Sequence, residues 1–199
     1  MRLDAPVLDG AMSLEKAVKR RRTVRSFGDM VMNMRQFSQI LWSAQGITEN
    51  KGFKRAAPSG GALYPADVYA AVGDNCVENL TGGVYHYRPE RHSVEKVAEG
   101  DRRRGLAVAS LSQMWMAGAR VLFVITVEYG RITWKYGERG VRYALMEVGH
   151  ISQNILLQCQ SLGLSAGIVG AFDDGKVAEA AGVLKNHEPL IILPVGYNA

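Results

Sequence analysis

The sequence predicts an α+β fold, and three observations carry that reading. Two helical segments come first, and strands and helices then mix without strict alternation, which argues against a doubly wound parallel sheet. Residues 121–127 read Val-Leu-Phe-Val-Ile-Thr-Val, a continuous apolar run suited to a central strand covered on both faces. Across residues 140–162, Leu145, Val148, Ser152, Ile155, Cys159 and Leu162 step by three or four, and Ile151 and Leu156 widen the stripe. That spacing predicts a long helix, apolar over much of its circumference.

Each element has its own local reason. The first ten residues read as an arm. Ser13 is placed as an N-cap, with Glu15 in the first turn and Leu14, Ala17 and Val18 on an apolar side. A second helix starts at Asn33, with Gln36 as its capping-box partner, Phe37, Ile40, Leu41 and Ala44 at helical spacing, and Gly46 as the stop. Residues 47–61 are polar and Gly-rich and read as a loop. Strands are expected at 67–72, 84–88 and 93–97, the last two joined by a turn at 89–92. Asp101 is read as the cap of a helix reaching to about Ala117. After the long helix and its stop at Gly163, a short strand is expected at 165–169. Asp173 or Asp174 then caps a last helix through Ala181, and 189–195 form the final strand.

Composition bounds the function. The 199 residues carry 24 Lys+Arg against 19 Asp+Glu, a net charge of +5, with 47% hydrophobic residues. Such a chain has the apolar surface to fold, so disorder is excluded, and a single domain over 1–199 is expected. The 22 glycines have no fixed period, which excludes a collagen-like class. Cys76 and Cys159 are too few and too far apart for a disulfide framework, and they point to a reducing, cytoplasmic location. No run of about 18 apolar residues suggests a membrane span, and the N-terminus lacks the pattern of a signal peptide. The pI near 9.3 favours anionic partners without saying which.

Several motifs are absent: a Gly-x-Gly-x-x-Gly fingerprint, a Walker A sequence, a Gly-x-Ser-x-Gly elbow and any Cys or His pair at metal-ligand spacing. No metal site is expected. Three segments remain. Residues 21–27, Arg-Arg-Thr-Val-Arg-Ser-Phe, gather three guanidiniums at a helix end. They can grip a phosphate, stand as a solvated helix end, or form a small nucleic-acid patch. Residues 57–65 hold Pro58-Ser59-Gly60-Gly61, where adjacent glycines allow close approach to a flat ligand or simply make a turn. Residues 134–140 hold Lys135-Tyr136, two proton-transfer groups side by side. Their free values, about 10.4 and about 10, suit neutral base work only if burial or a neighbouring cation lowers them. An exposed loop lysine beside a packing tyrosine is the plainer reading.

Together these segments resemble the FMN-dependent nitroreductase superfamily, in particular its SagB-type dehydrogenase branch. The matching stretches are 21–27, 58–65 and 135–137. Arg142-Tyr143 through Glu147-Val148-Gly149-His150, Gln153-Asn154, 162–164, 169–174 and 193–196 complete the match, in order, from about residue 6 to the C-terminus. The resemblance implies a sandwich with a central, mainly antiparallel sheet flanked by helices, in an intertwined homodimer with FMN at the interface. Arg21, Arg22, Thr23 and Arg25 would hold the phosphate, the ribityl chain or the adjacent ring edge. Pro58, Ser59, Gly60, Gly61 and Leu63 would lie along the isoalloxazine, and Val169, Gly170 and Ala171 would present backbone near flavin N5. Lys135 and Tyr136 match the Lys-Tyr pair of azoline-oxidising relatives, with Lys135 as base and Tyr136 assisting or orienting.

Two chemistries are compatible with this likeness: oxidation of an azoline-like small molecule or peptide, and NADH- or NADPH-driven reduction of nitro or quinone compounds. A non-enzymatic FMN-binding role stands beside them, whereas membrane and nucleic-acid partners are not expected. Where many relatives have a basic residue after the terminal Val-Gly, this chain has Tyr197, Asn198 and Ala199, which leaves the phosphate to the three arginines. No appended domain for a leader peptide is expected.

Overall fold

The computed structural model describes residues 1–49 and 53–199, so the expected 47–61 loop lies outside the described residues at 50–52. The helices are α1 (Leu14–Arg20), α2 (Met34–Gln45), α3 (Arg103–Ala109), α4 (Gly130–Tyr136), α5 (Arg139–Ser161) and α6 (Asp174–Ala181). The strands are β1 (Ala66–Val72), β2 (Gly83–Arg88), β3 (Ser93–Glu99), β4 (Val121–Val127), β5 (Ser165–Ala166) and β6 (Glu188–Gly196). They form one sheet in the order β3-β2-β1-β4-β6-β5, with every neighbouring pair antiparallel.

The two-residue period of a strand builds the layers. Val68, Ala70 and Val72 of β1 and Phe123, Ile125 and Val127 of β4 face a core shared with α2 and α5. Tyr69, Ala71, Leu122 and Val124 face the opposite core, with Leu106 of α3 and Val177 of α6. A sheet covered on both faces explains why β4 is apolar at nearly every position and fully buried.

The caps follow the sequence. Ser13 accepts from Lys16 N–H, Asn33 and Gln36 form the capping box, and Asp173 accepts from Lys176 N–H. Two expectations are corrected. The helix after Asp101 does not reach Ala117: α3 ends at Ala109, Leu111 and Ser112 take positive φ, and a 3-10 turn follows at Met114–Gly118. Asp101 does accept from Arg103 N–H at 3.0 Å. The 165–169 strand stops at Ala166, with Val169 bridging Ile192 separately. Leu145 of α5 is 48% exposed, and Val141 and Met146 share its open face. Among the described residues no helix is long and apolar enough to cross a membrane.

Candidate functional site

The expected site residues fall into two groups within one chain. The first lies beyond the C-terminal end of α5. Arg21 caps α1, and the Arg22 guanidinium folds back onto the carbonyls of Lys19 and Arg21 at 3.0 and 2.8 Å, serving the negative end of that helix. Thr23 bridges Ala166, and Val24 N–H donates to Ala166 O at 3.0 Å, so this segment runs alongside β5. Arg25 lies over the Trp115 ring at 5.7 Å, and Trp115 stacks on Phe27. Gly167 makes this close approach possible: a Cβ there would sit 2.8 Å from the Trp115 ring and 2.9 Å from Val24 O.

Val169, Gly170 and Ala171 follow directly. Val169 N–H is taken by Ile192 O, and Ala171 O accepts from Gln113. Among the described residues, Gly170 and Ala171 N–H make no hydrogen bond, and no salt bridge engages Arg21, Arg22 or Arg25. Cations without a carboxylate partner and exposed backbone donors are the donor set that a flavin phosphate and a ring nitrogen require. That chemistry fits FMN.

The second group gathers at the N-terminal end of α5. Pro58 O faces His150 Nδ1 at 3.3 Å, and Ser59 Oγ accepts from Tyr64 N–H at 2.9 Å. Gly60 packs on Tyr143, where a Cβ would lie 3.1 Å away, and Leu63 packs against the main core. Gly61 has φ +62°, and a Cβ there would meet Tyr136 Oη at 2.6 Å and Lys135 Nζ at 3.2 Å. Ala62 and Tyr64 also hold positive φ. Such conformations cost of order 1–3 kcal/mol each and persist where the surroundings over-determine them, commonly at functional sites.

Lys135 and Tyr136 stand on the last turn of α4, not in a loop. Lys135 is exposed with its Nζ 5.3 Å from the Tyr136 ring, and Tyr136 is half-buried, edge-on to Tyr143 at 5.1 Å. Arg131, one turn earlier, ties α4 down. It bonds Asp67 Oδ2 at 2.6 Å and reaches Tyr64 O at 3.4 Å. Asp67 also meets His86 Nε2 at 2.9 Å, and Tyr69 Oη meets His187 Nδ1 at 3.0 Å. Burial alone would raise Asp67. The His86 hydrogen bond, Arg131 and the imidazoles outweigh it and hold the carboxyl below its ordinary value. Burial pushes His187 down, and Arg131 and His86 act with it against Asp67 and Glu128. Among the described residues no three His, Cys, Asp or Glu converge as a metal site.

The structure therefore brings Lys135 and Tyr136 to Gly61, and residues 23–24 to residues 166–167, from which 169–171 follow in sequence; among the described residues no hydrogen bond or ion pair joins the two groups. From Tyr143 to Ser161 the helix rises roughly 27 Å at about 1.5 Å per residue. Sequence reasoning missed Trp115, Tyr143 as a contact, and the Asp67–Arg131 tether. Trp115 gave no periodic signal, and Asp67 and Arg131 meet only through tertiary packing.

Residues 18–197 match the Nitroreductase family profile. The chain belongs to the nitroreductase family. A protein of Methanocaldococcus jannaschii that bears the nitroreductase name is 42% identical over 186 residues, 93% of this chain and 91% of that one. The Escherichia coli microcin B17-processing protein McbC is 29% identical over 81% of this chain, which spans 61% of McbC. A chain of the E. coli microcin synthetase McbBCD complex, solved with truncated pro-MccB17 bound, matches at a TM-score of 0.76 and 26% identity, over 92% of this chain and 73% of that one. A nitroreductase-named crystal structure from Ralstonia eutropha matches at a TM-score of 0.83 and 25% identity, over 99% of this chain and 88% of that one. The nitroreductase fold is thus shared along the chain, and the likeness to McbC agrees with the SagB-type branch.

Proposed function

We propose that this nitroreductase-family chain, one FMN-binding domain over 1–199, is an FMN-dependent oxidoreductase. It acts as a homodimer, and its site joins the arginine end of one copy to the Lys135–Tyr136 end of the other. The observation that carries this reading is the separation of the two groups along α5. Each group carries the chemistry that half of a flavin site requires, and no hydrogen bond or ion pair among the described residues joins the two. The exposed apolar residues Val141, Leu145 and Met146 on α5, and Leu14 and Val18 on α1, offer the surface for such an association. The free, buried Cys76 and Cys159 accord with the expected cytoplasmic location.

When bound, FMN supplies two-electron chemistry at N5. Arg21, Arg22, Thr23 and Arg25 would hold its phosphate end, Pro58, Ser59, Gly60, Gly61 and Leu63 would line the ring, and Val169, Gly170 and Ala171 would offer backbone donors to it. Lys135 Nζ would take one carbon-bound proton of an azoline-like substrate, small molecule or peptide, while bound FMN would supply the acceptor for the second hydrogen, which leaves a neighbouring bond as hydride. Tyr136 orients that substrate from beside Gly61. Oxygen or another acceptor would take up the two electrons removed from the substrate.

The M. jannaschii likeness favours a second reading, in which NADH or NADPH reduces nitro or quinone compounds through the same site. The deciding experiment is the visible absorbance of purified protein, with the released chromophore identified by mass and followed by turnover with either substrate class. A yellow protein with FMN near one per chain supports the proposal. A colourless protein that binds no added FMN refutes it, and bound flavin with no turnover by any donor or acceptor leaves a carrier rather than an enzyme.

A further inference from the structure

Glu147 lies on α5 one turn beyond Tyr143, beneath the 58–63 loop. It and Gln45, the last residue of α2, are each 1% exposed. Gln45 Nε2 donates to Glu147 Oε1 at 2.9 Å, and Ala66 N–H reaches the same oxygen at 3.4 Å. The other oxygen of each side chain, Glu147 Oε2 and Gln45 Oε1, is buried without a partner. With Glu147 ionised, both are acceptors, and neither can satisfy the other. A single proton on Glu147 removes both defects at once.

We propose that Glu147 is a neutral carboxylic acid in the folded protein, its Oε2–H donating to Gln45 Oε1, so that the two side chains close an acid–amide pair that positions the 58–63 loop. Its surroundings agree. Burial pushes the Glu147 carboxyl up, and the Ser59 hydroxyl, Ala66 N–H, Gln45 amide and Arg55 charge oppose it without cancelling it. Arg55 is already paired with Glu90 at 3.1 Å and stacked on Tyr64. Tyr143 and His150 are the titratable neighbours on α5 itself, and His150 is exposed.

The pair reaches the site through Ser59, whose hydroxyl acts on the Glu147 carboxyl and whose Oγ accepts from Tyr64 N–H at 2.9 Å, closing the loop that sets Gly60 on Tyr143 and Gly61 on Tyr136. Glu147 is therefore a positioning residue. The link to flavin rests on the proposed function, whereas the protonation does not.

The test compares wild type with Glu147→Gln and Glu147→Leu, each with and without FMN. Glu147→Gln presents an amide N–H where the acid presents O–H, so its FMN affinity at neutral pH stays within about threefold of wild type. Glu147→Leu strands both groups of Gln45 and binds FMN about tenfold or more weakly. The folded state holds this proton more tightly than the unfolded state. The stability of wild type relative to Glu147→Gln is therefore greatest below about pH 4.3 and falls as pH rises through the folded value.

The infrared spectrum of flavin-free wild type at neutral pH shows a deuterium-sensitive protonated-carboxyl band that Glu147→Gln lacks. No such band, or a stability gap that widens with rising pH, overturns the proposal even if Glu147→Leu fails to fold. If the band is present in a protein that never binds FMN, the acid–amide pair stands and only its link to flavin falls.

Discussion

Gly61→Ala perturbs the contact on which the proposed chemistry depends. Gly61 sits at φ +62°, ψ 18°, in the left-handed region. A side chain in that conformation costs roughly 1–2 kcal/mol. The new Cβ also falls 2.6 Å from Tyr136 Oη, 3.3 Å from Tyr136 Cε2 and 3.2 Å from Lys135 Nζ. These are the far ends of flexible side chains, so the phenol and the ammonium move while the loop backbone stays. The expected loss of stability is about 1–2 kcal/mol, a fall in Tm of roughly 2–8 °C for a chain of this size. Moving the pair by several tenths of an ångström to about 1 Å lowers turnover by up to about 10²-fold, with FMN still bound. Tyr136→Phe removes the atom that clashes most. The double variant Gly61→Ala/Tyr136→Phe is therefore more stable than the two single changes predict, with a coupling of about 0.5 kcal/mol or more in thermal melts. Additivity within about 0.3 kcal/mol refutes the contact.

Three other outcomes follow from the same geometry. Lys135→Ala keeps FMN but slows substrate dehydrogenation by about 10²-fold or more in stopped-flow flavin reduction, and an unchanged rate removes the base from the mechanism. Arg21→Ala loses about 1.5–3 kcal/mol of phosphate binding, a Kd rise of roughly 10- to 150-fold, so flavin retained in full after dialysis places the phosphate elsewhere. Asp67 is held below its ordinary value, so its contribution to stability is present above about pH 3.9 and is lost as pH falls through the folded value. Asp67→Asn flattens that acid limb and loosens α4 through Arg131, read as a lower Tm at pH 7 with less variation between pH 3 and 5. An unaltered acid limb contradicts it.

Local signals were the most legible part of this chain. Ser13, the Asn33–Gln36 box and Asp173 set helix starts because a cap depends on residues within one turn. The 121–127 run showed its burial because both faces of β4 are covered. Leu111 and Ser112 were not legible as a helix break, since neither is a Gly or Pro and their positive φ is fixed by packing. Leu145 fits the helical spacing of the apolar stripe and faces outward, because spacing identifies an apolar face without saying which surface covers it. The candidate site residues come from motifs in register, and their division between the two ends of α5 is not legible, because the sequence order does not encode the direction in which each segment faces. Arg131 and Asp67 are 64 residues apart and meet only once β1 and α4 are folded.

On the proposed function, one chain holds two halves of a flavin site that a second copy completes. A native mass spectrum of the freshly purified protein decides between this and a self-sufficient monomer. The expected species has two chains carrying two FMN molecules, with flavin released when the dimer is driven apart. A monomer that retains FMN, or a dimer that takes up none when FMN is added, contradicts it.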